Sequence, residues 1–240
     1  MNRIFYFLIF GAFVWVNYAI FKPNEETFKP NEETRETNKQ VNANKAQTAG
    51  VNLKPSTNNP ELAIGATMPL SDLLMENVDG QKISTKSVKG TKGTAVIFWC
   101  NTCPWVTRYE ARTVALVNAY KSKGFGFIAV NPNDPVAYPE EALSFMKTKA
   151  QEKKYPFPYV ADENSTLARA YGAARTPHVF LFDTANKLVY VGGIDDNPQK
   201  EAEAKPYLKL AMEALLKGTH VSETKTRAFG CTIKWQEKSY

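Results

Sequence analysis

"AVIFWCNTCPWVTRYEA", residues 95–111, joins a short apolar run to two cysteines two residues apart and then to a segment with helical spacing. The run "TAVIFW" (94–99) is almost wholly apolar, as a strand buried on both faces is. From 104 to 121 the residues Trp105, Val106, Tyr109, Thr113, Leu116, Val117 and Tyr120 recur mostly at intervals of three and four, which predicts an amphipathic helix stopped by Gly124. Cys100 therefore follows a buried strand, and Cys103 opens a helix. The first N–H groups of a helix lack internal partners and its N-terminal end is positive. This predicts that the Cys100 thiol ionises below the free value of about 8.5. Cys103, within one turn, would then resolve the mixed disulfide that Cys100 forms. Arg108 would add positive field or point to solvent. Pro104, just inside the helix, costs little because its missing N–H would be unpaired anyway.

Two other readings compete, half of a metal site or two inert buried thiols. A structural zinc site needs four ligands, whereas the chain has three cysteines (Cys100, Cys103, Cys231), no second CxxC, and only His178 and His220 as histidines. Three cysteines are also too few for a disulfide scaffold. One close pair with a distant single fits a chemical site better than a staple, so redox use is the favoured reading.

Working outward, "MPLSDLLMENVDGQKIS" carries an Asp79-Gly80 turn signal between two strand-like pieces, a hairpin. "FGFIAVN" (125–131) is a second buried strand. Residues 139–154 begin with Pro and two Glu, a helix entry, and "PYVAD" is a short strand. Residues 165–172 form a short helix ended by Gly172. "PHVFLFD" (177–183) and "KLVYVGG" (187–193) make a hairpin, and 200–217 a last helix. The order β-α-β-α-β-α-β-β-α implies right-handed crossovers, hence an α/β fold with a mixed central sheet flanked by helices and preceded by the N-terminal β-hairpin.

A second pointer lies in "ARTPHVFLF". Thr176-Pro177 at a strand entrance reads as a cis peptide, the alternative being a simple strand-start proline. Proline has no N–H, so neighbouring backbone groups stay available to an extended substrate. Trp99 and Trp105 flank the cysteine pair and either wall a substrate groove or fill the core. Cys231, in "FGCTIKW", is an auxiliary thiol that resolves from the tail or merely packs. His178 beside both sulfurs would suit copper, a minor alternative. Asp195 and Asp196 read as a solvated turn.

The N-terminus is of another kind. Residues 4–21, "IFYFLIFGAFVWVNYAIF", hold no charged side chain, and as a helix would span about 27 Å, close to a bilayer core. With Arg3 before it, this reads as a membrane anchor or signal segment (1–21) that leaves the remainder exported, on the periplasmic face of a membrane or in the periplasm if cleaved. "FKPNEET" is then repeated without change at 21–27 and 28–34. The six basic residues and six glutamates of 22–61 cancel, and few apolar side chains are present, which predicts a disordered linker with a reach of roughly 35 Å. Pro23 and Pro30 exclude a coiled coil. The globular domain is 62–240. The formal charge of +6 is spread without a basic block interleaved with aromatics, so nucleic acid is not an expected partner.

Taken together these residues resemble the thioredoxin superfamily, and within it the peroxiredoxin-like redoxin (AhpC/TSA-like) branch. The resemblance is carried by "CNTCPWV" (100–106), "AVNPND" (129–134), "PFPYVADE" (156–163), "AYGAARTPHVFLFD" (170–183), "KLVYVGGIDD" (187–196) and "GCTIKW" (230–235), and covers about residues 64–236. It implies a thioredoxin fold and an exported, membrane-tethered thiol–disulfide oxidoreductase that needs no cofactor or metal. Its partners would be protein dithiols or disulfides, or, as a peroxidase, a small peroxide. By the resemblance Cys100 and Cys103 are the redox pair and Pro177 is the cis proline, with Thr176 beside it. The chain departs from its relatives at four positions. Thr94 stands where thioredoxins carry a buried acid, and Cys100 stands where peroxiredoxins carry a threonine three residues before their reactive cysteine. Thr102 replaces a frequent histidine, and Arg175 a frequent cysteine.

Overall fold

A computed structural model describes residues 60–236. The apolar N-terminal segment and nearly all of the polar stretch behind it lie outside the described residues. Among the described residues no helix is long and apolar enough to cross a membrane.

The strands are β1 (Met75–Asn77), β2 (Lys82–Ile83), β3 (Gly93–Phe98), β4 (Phe125–Asn131), β5 (Tyr159–Ala161), β6 (Arg175–Thr176), β7 (His178–Phe182), β8 (Leu188–Gly192) and β9 (Cys231–Thr232). The helices are α1 (Pro104–Lys121), α2 (Leu143–Glu152), α3 (Thr166–Tyr171) and α4 (Tyr207–Lys217). One seven-stranded sheet runs β2-β1-β5-β4-β3-β7-β8, and β6 pairs with β9 in a separate two-stranded ribbon. The β3-β4 and β4-β5 pairs are parallel, whereas β3-β7, β7-β8, β1-β5 and the β1-β2 hairpin are antiparallel. This is the mixed sheet with its hairpin that the element order predicts.

The central strand explains the layering. In β3 and its extension, Ala95, Ile97 and Trp99 point to one face and Val96 and Phe98 to the other, each at most 2% exposed. The first face packs on Val106, Tyr109 and Val117 of α1, Met146 of α2, and Leu208, Ala211 and Met212 of α4. The second packs on Leu167 and Tyr171 of α3 and on Met68 and Met75 of the N-terminal region. Burying both faces leaves no room for polar alternation, which is why the run is continuous in sequence.

Two helices are shorter than their sequence pattern suggests. Residues 139–141 form a 3-10 turn, and Ala142 is extended (φ −65°, ψ 154°) before α2 begins. Residues 201–203 form another 3-10 turn, and α4 starts only after Pro206, whose ring cannot accept a helical residue before it. The solvated-turn reading of Asp195 is corrected as well. It is buried, its Oδ2 meets Arg112 Nη1 at 2.6 Å, and its Oδ1 accepts a hydrogen bond from the Tyr109 hydroxyl at 3.1 Å. Asp196 is exposed and accepts the Lys205 N–H.

Candidate redox site

Cys100 sits two residues past the end of β3. The β3-β7 register pairs Phe98 with His178, and continuing it sets Cys100 opposite Thr176. The Cys100 sulfur indeed lies 3.0 Å from Thr176 Oγ1. The Thr176-Pro177 peptide is cis, as its sequence context predicts. The Cys103 sulfur reaches the same residue, donating to the Thr176 carbonyl oxygen at 3.3 Å when protonated. Thr176 thus touches both members of the pair. Proline at 177 interrupts backbone pairing there, so β6 leaves the main sheet and takes up β9 instead, in a register that sets Cys231 across from Thr176. Gly230 permits that approach, since a Cβ at this position would lie 2.4 Å from the Thr176 carbonyl oxygen.

Each cysteine of the pair is the largest single influence on the ionisation of the other. Helix α1 begins at Pro104, so Cys103 is its N-cap and Cys100 stands a turn away from the helix entrance. The Cys103 thiolate is favoured first by the Cys100 thiol, then by the Cys231 thiol and the N–H groups of Val106 and Cys231. Against the cost of burial, these donors hold Cys103 at about 5, well below the ordinary thiol range. Cys100 moves the opposite way. Its proton is held by Cys103, burial disfavours its charge, and the Glu141 carboxylate repels it. Cys231 is pushed up to about 11, chiefly by burial and then by Cys103. The residues of the pair are 1% and 3% exposed, whereas Cys231 is only half-buried. All three are free thiols.

Glu141 is a site residue with no sequence signal. Its Oε2 accepts the Asn101 N–H at 2.8 Å, and its Oε1 accepts the Thr102 N–H at 3.1 Å and the Thr102 hydroxyl at 2.6 Å. It therefore fixes the dipeptide between the cysteines, while Asn131 Nδ2 steadies Oε2 at 3.0 Å. Lys149 adds a bond to the Asn101 carbonyl oxygen at 2.6 Å and an ion pair with buried Glu110 at 3.0 Å. Neither cysteine borders the cleft of about 370 Å³ behind Glu141, which Leu74, Asn133 and Asp162 also line.

The remaining predicted positions separate. Trp99 belongs to the core, with its Nε1 donating to Tyr155 Oη at 3.1 Å, and so does not wall a groove. Trp105 is half-buried at the rim and packs on Phe229, with the Arg108 guanidinium 5.1 Å above its ring. Arg108 thus faces Trp105 instead of adding to the field at the sulfurs. Arg175 is exposed, donates to the Gly230 carbonyl oxygen at 3.0 Å and favours the charged form of Cys231. His178 has both ring nitrogens engaged, Nε2 with Glu61 at 3.3 Å and Nδ1 accepting the Ala174 N–H at 3.4 Å. Among the described residues no group of three or more His, Cys, Asp or Glu side chains is placed to hold a metal, which removes the support for the copper alternative.

A family model described as Redoxin matches residues 63–208. Among solved structures, an uncharacterized conserved protein from Geobacillus kaustophilus is 38% identical, with 74% of this chain and 94% of that one covered and a TM-score of 0.69. A hypothetical protein from Sinorhizobium meliloti 1021 is 31% identical, with 76% of this chain and 100% of that one covered and a TM-score of 0.69. A putative thiol:disulfide interchange protein, DsbE, from Chlorobium tepidum shares the fold at 22% identity, 65% and 99% coverage and a TM-score of 0.53. No curated protein matches.

Proposed function

This chain belongs to the redoxin family, and from that premise we propose that it is a thiol–disulfide oxidoreductase whose redox couple is Cys100 and Cys103. The observation that carries the reading is the convergence of both sulfurs on Thr176, at 3.0 and 3.3 Å, beside a cis proline. The donors gathered at the helix entrance make Cys103 the thiolate, while Cys100 keeps its proton. Peroxide as the oxidant has less support. The threonine hydroxyl bonded within this pair, Thr176 Oγ1, faces Cys100 and not the thiolate.

The proton inventory tests the couple. At low pH the reduced pair holds two protons that the disulfide lacks; above the point where its first thiol ionises it holds one, and the lowering of Cys103 sets that break below the ordinary thiol range. For a two-electron couple the midpoint potential should fall by about 59 mV per pH unit below the break and by about 30 mV per unit above it. Equilibration with glutathione buffers from pH 4 to pH 8 measures this. A single slope of about 59 mV per unit across the range would show that neither thiol of the pair is lowered, and failure to form a Cys100–Cys103 disulfide would remove the couple.

We further propose that the domain works outside the cytoplasm, tethered by residues 4–21. Support comes from the uncharged run and from Arg3 on its N-terminal side. Full-length protein should stay with the membrane on alkaline extraction and be digested by protease added to spheroplasts. Protection from that protease would sink the orientation.

A further inference from the structure

Three cysteines, not two, meet at Thr176. Its hydroxyl touches Cys100, its carbonyl oxygen receives Cys103, and its strand partner in the β6-β9 ribbon is Cys231. Cys231 also packs against the apolar cluster that contains both other cysteines. It is the one of the three with appreciable solvent exposure. Cys100 and Cys103 are buried, so a large partner reaches the tail thiol first. Arg175 and Lys234 offset only part of the rise that burial and Cys103 impose on Cys231, so at neutral pH its reduced form is the protonated thiol.

We propose that Cys231 is a third redox sulfur and the port through which the buried pair exchanges electrons with a protein dithiol or disulfide. This rests on the oxidoreductase reading above and extends it. The oxidised centre has one disulfide and one thiol, in either of two isomers. In the inner isomer Cys100 and Cys103 are bonded and Cys231 is free. In the outer isomer Cys103 and Cys231 are bonded and Cys100 is free. Attack of Cys100 Sγ on Cys103 Sγ breaks the Cys103–Cys231 bond, and the Cys100 proton passes to the departing Cys231 thiolate; this converts outer to inner with no net electron transfer. A partner thiolate attacks Cys231 Sγ of the outer isomer, breaks the Cys103–Cys231 bond and expels Cys103 as the thiolate. The second thiol of the partner then attacks its own sulfur in the mixed disulfide, releasing Cys231. The partner dithiol has become a disulfide, and Cys103 and Cys231 are reduced by the same two electrons. Run backward, the sequence reduces a partner disulfide. Cys103 is the better leaving group of the outer disulfide because the thiol of lower pKa departs faster.

Two measurements on the whole protein test this. First, oxidised Cys100→Ser protein is treated briefly with reduced glutathione, quenched with acid and mapped by mass spectrometry. The expected result is a Cys103–Cys231 disulfide beforehand and a glutathione adduct on Cys231 afterward. Absence of that disulfide, or an adduct confined to Cys103, overturns the proposal. Second, Cys231→Ser and Cys231→Ala protein should still form the Cys100–Cys103 disulfide at equilibrium, yet oxidise a reduced, unfolded protein substrate at least about tenfold more slowly than wild type. An unchanged rate with both variants overturns the port while leaving the couple intact. Loss of the inner disulfide in wild type would instead undo the oxidoreductase reading itself. The glutathione mapping is repeated on wild-type protein oxidised with one equivalent of diamide, so no result depends on how a variant folds.

Discussion

Replacing Cys103 by serine is expected to slow disulfide exchange by about 10³-fold or more, the scale on which loss of a catalytic nucleophile acts. Cys100→Ser is expected to keep a measurable fraction of the rate, since Cys103 and Cys231 both remain at Thr176. Stopped-flow reduction of a protein disulfide by the two variants gives the ranking, and the opposite order would return the thiolate to Cys100. The size of the advantage depends on which step Cys103 performs. A lowered thiol is more fully ionised at pH 7 than one at 8.5, which is about 3% thiolate. Nucleophilicity falls with basicity, with a slope of about 0.4–0.5, so the same lowering costs an attacking sulfur much of that gain. The two effects nearly cancel for attack. For departure there is no such cancellation, so the lowered value serves Cys103 chiefly as a leaving group.

The second large effect belongs to Glu141. Glu141→Ala would leave the N–H groups of Asn101 and Thr102 and the Thr102 hydroxyl without the acceptor they share, while Asn131 Nδ2 keeps the Glu141 backbone carbonyl oxygen. Hydrogen bonds to a charged group contribute about 1.5–3 kcal/mol each, and stranded buried donors about 1–3, but part of the site would open to water. A net loss of about 3 kcal/mol is expected, which for a domain of this size lowers the melting temperature by about 6–12 °C. Glu141→Gln retains one acceptor oxygen and should lose less than half of that. Thermal unfolding of the reduced proteins decides it, and a Glu141→Ala variant that melts with wild type would show that the dipeptide is held by other contacts. The same substitution removes the charge that opposes ionisation of Cys100.

Much of the fold was legible because it is written in local patterns. The apolar run of β3, the spacing of α1 and the turn signal at Asp79-Gly80 each speak through residues close in sequence. So did the cis Thr176-Pro177 peptide, because a proline at a strand entrance limits what its neighbours can do. What the sequence hid was the environment in which the two thiols share a proton. Pro104 at the first helical position makes Cys103 the N-cap residue, a boundary that the periodicity of the helix does not mark to the residue. Glu141 was hidden for a different reason. Its neighbours read as a helix start, and only the break at Ala142 turns its carboxylate toward a loop 40 residues away in sequence. Asp195 read as solvated because the partner that buries it, Arg112, lies on a different element.

The ribbon between β6 and β9 has a consequence for biosynthesis. Every strand of the large sheet precedes Cys231 in the chain, so a chain that folds from its N-terminal side can assemble its sheet and bring Cys100 and Cys103 together while their cover is still missing. Closing that cover is a long-range event and comes late. Until then the pair meets whatever oxidants or thiols surround the growing polypeptide, and only the arrival of the tail restricts who may talk to it.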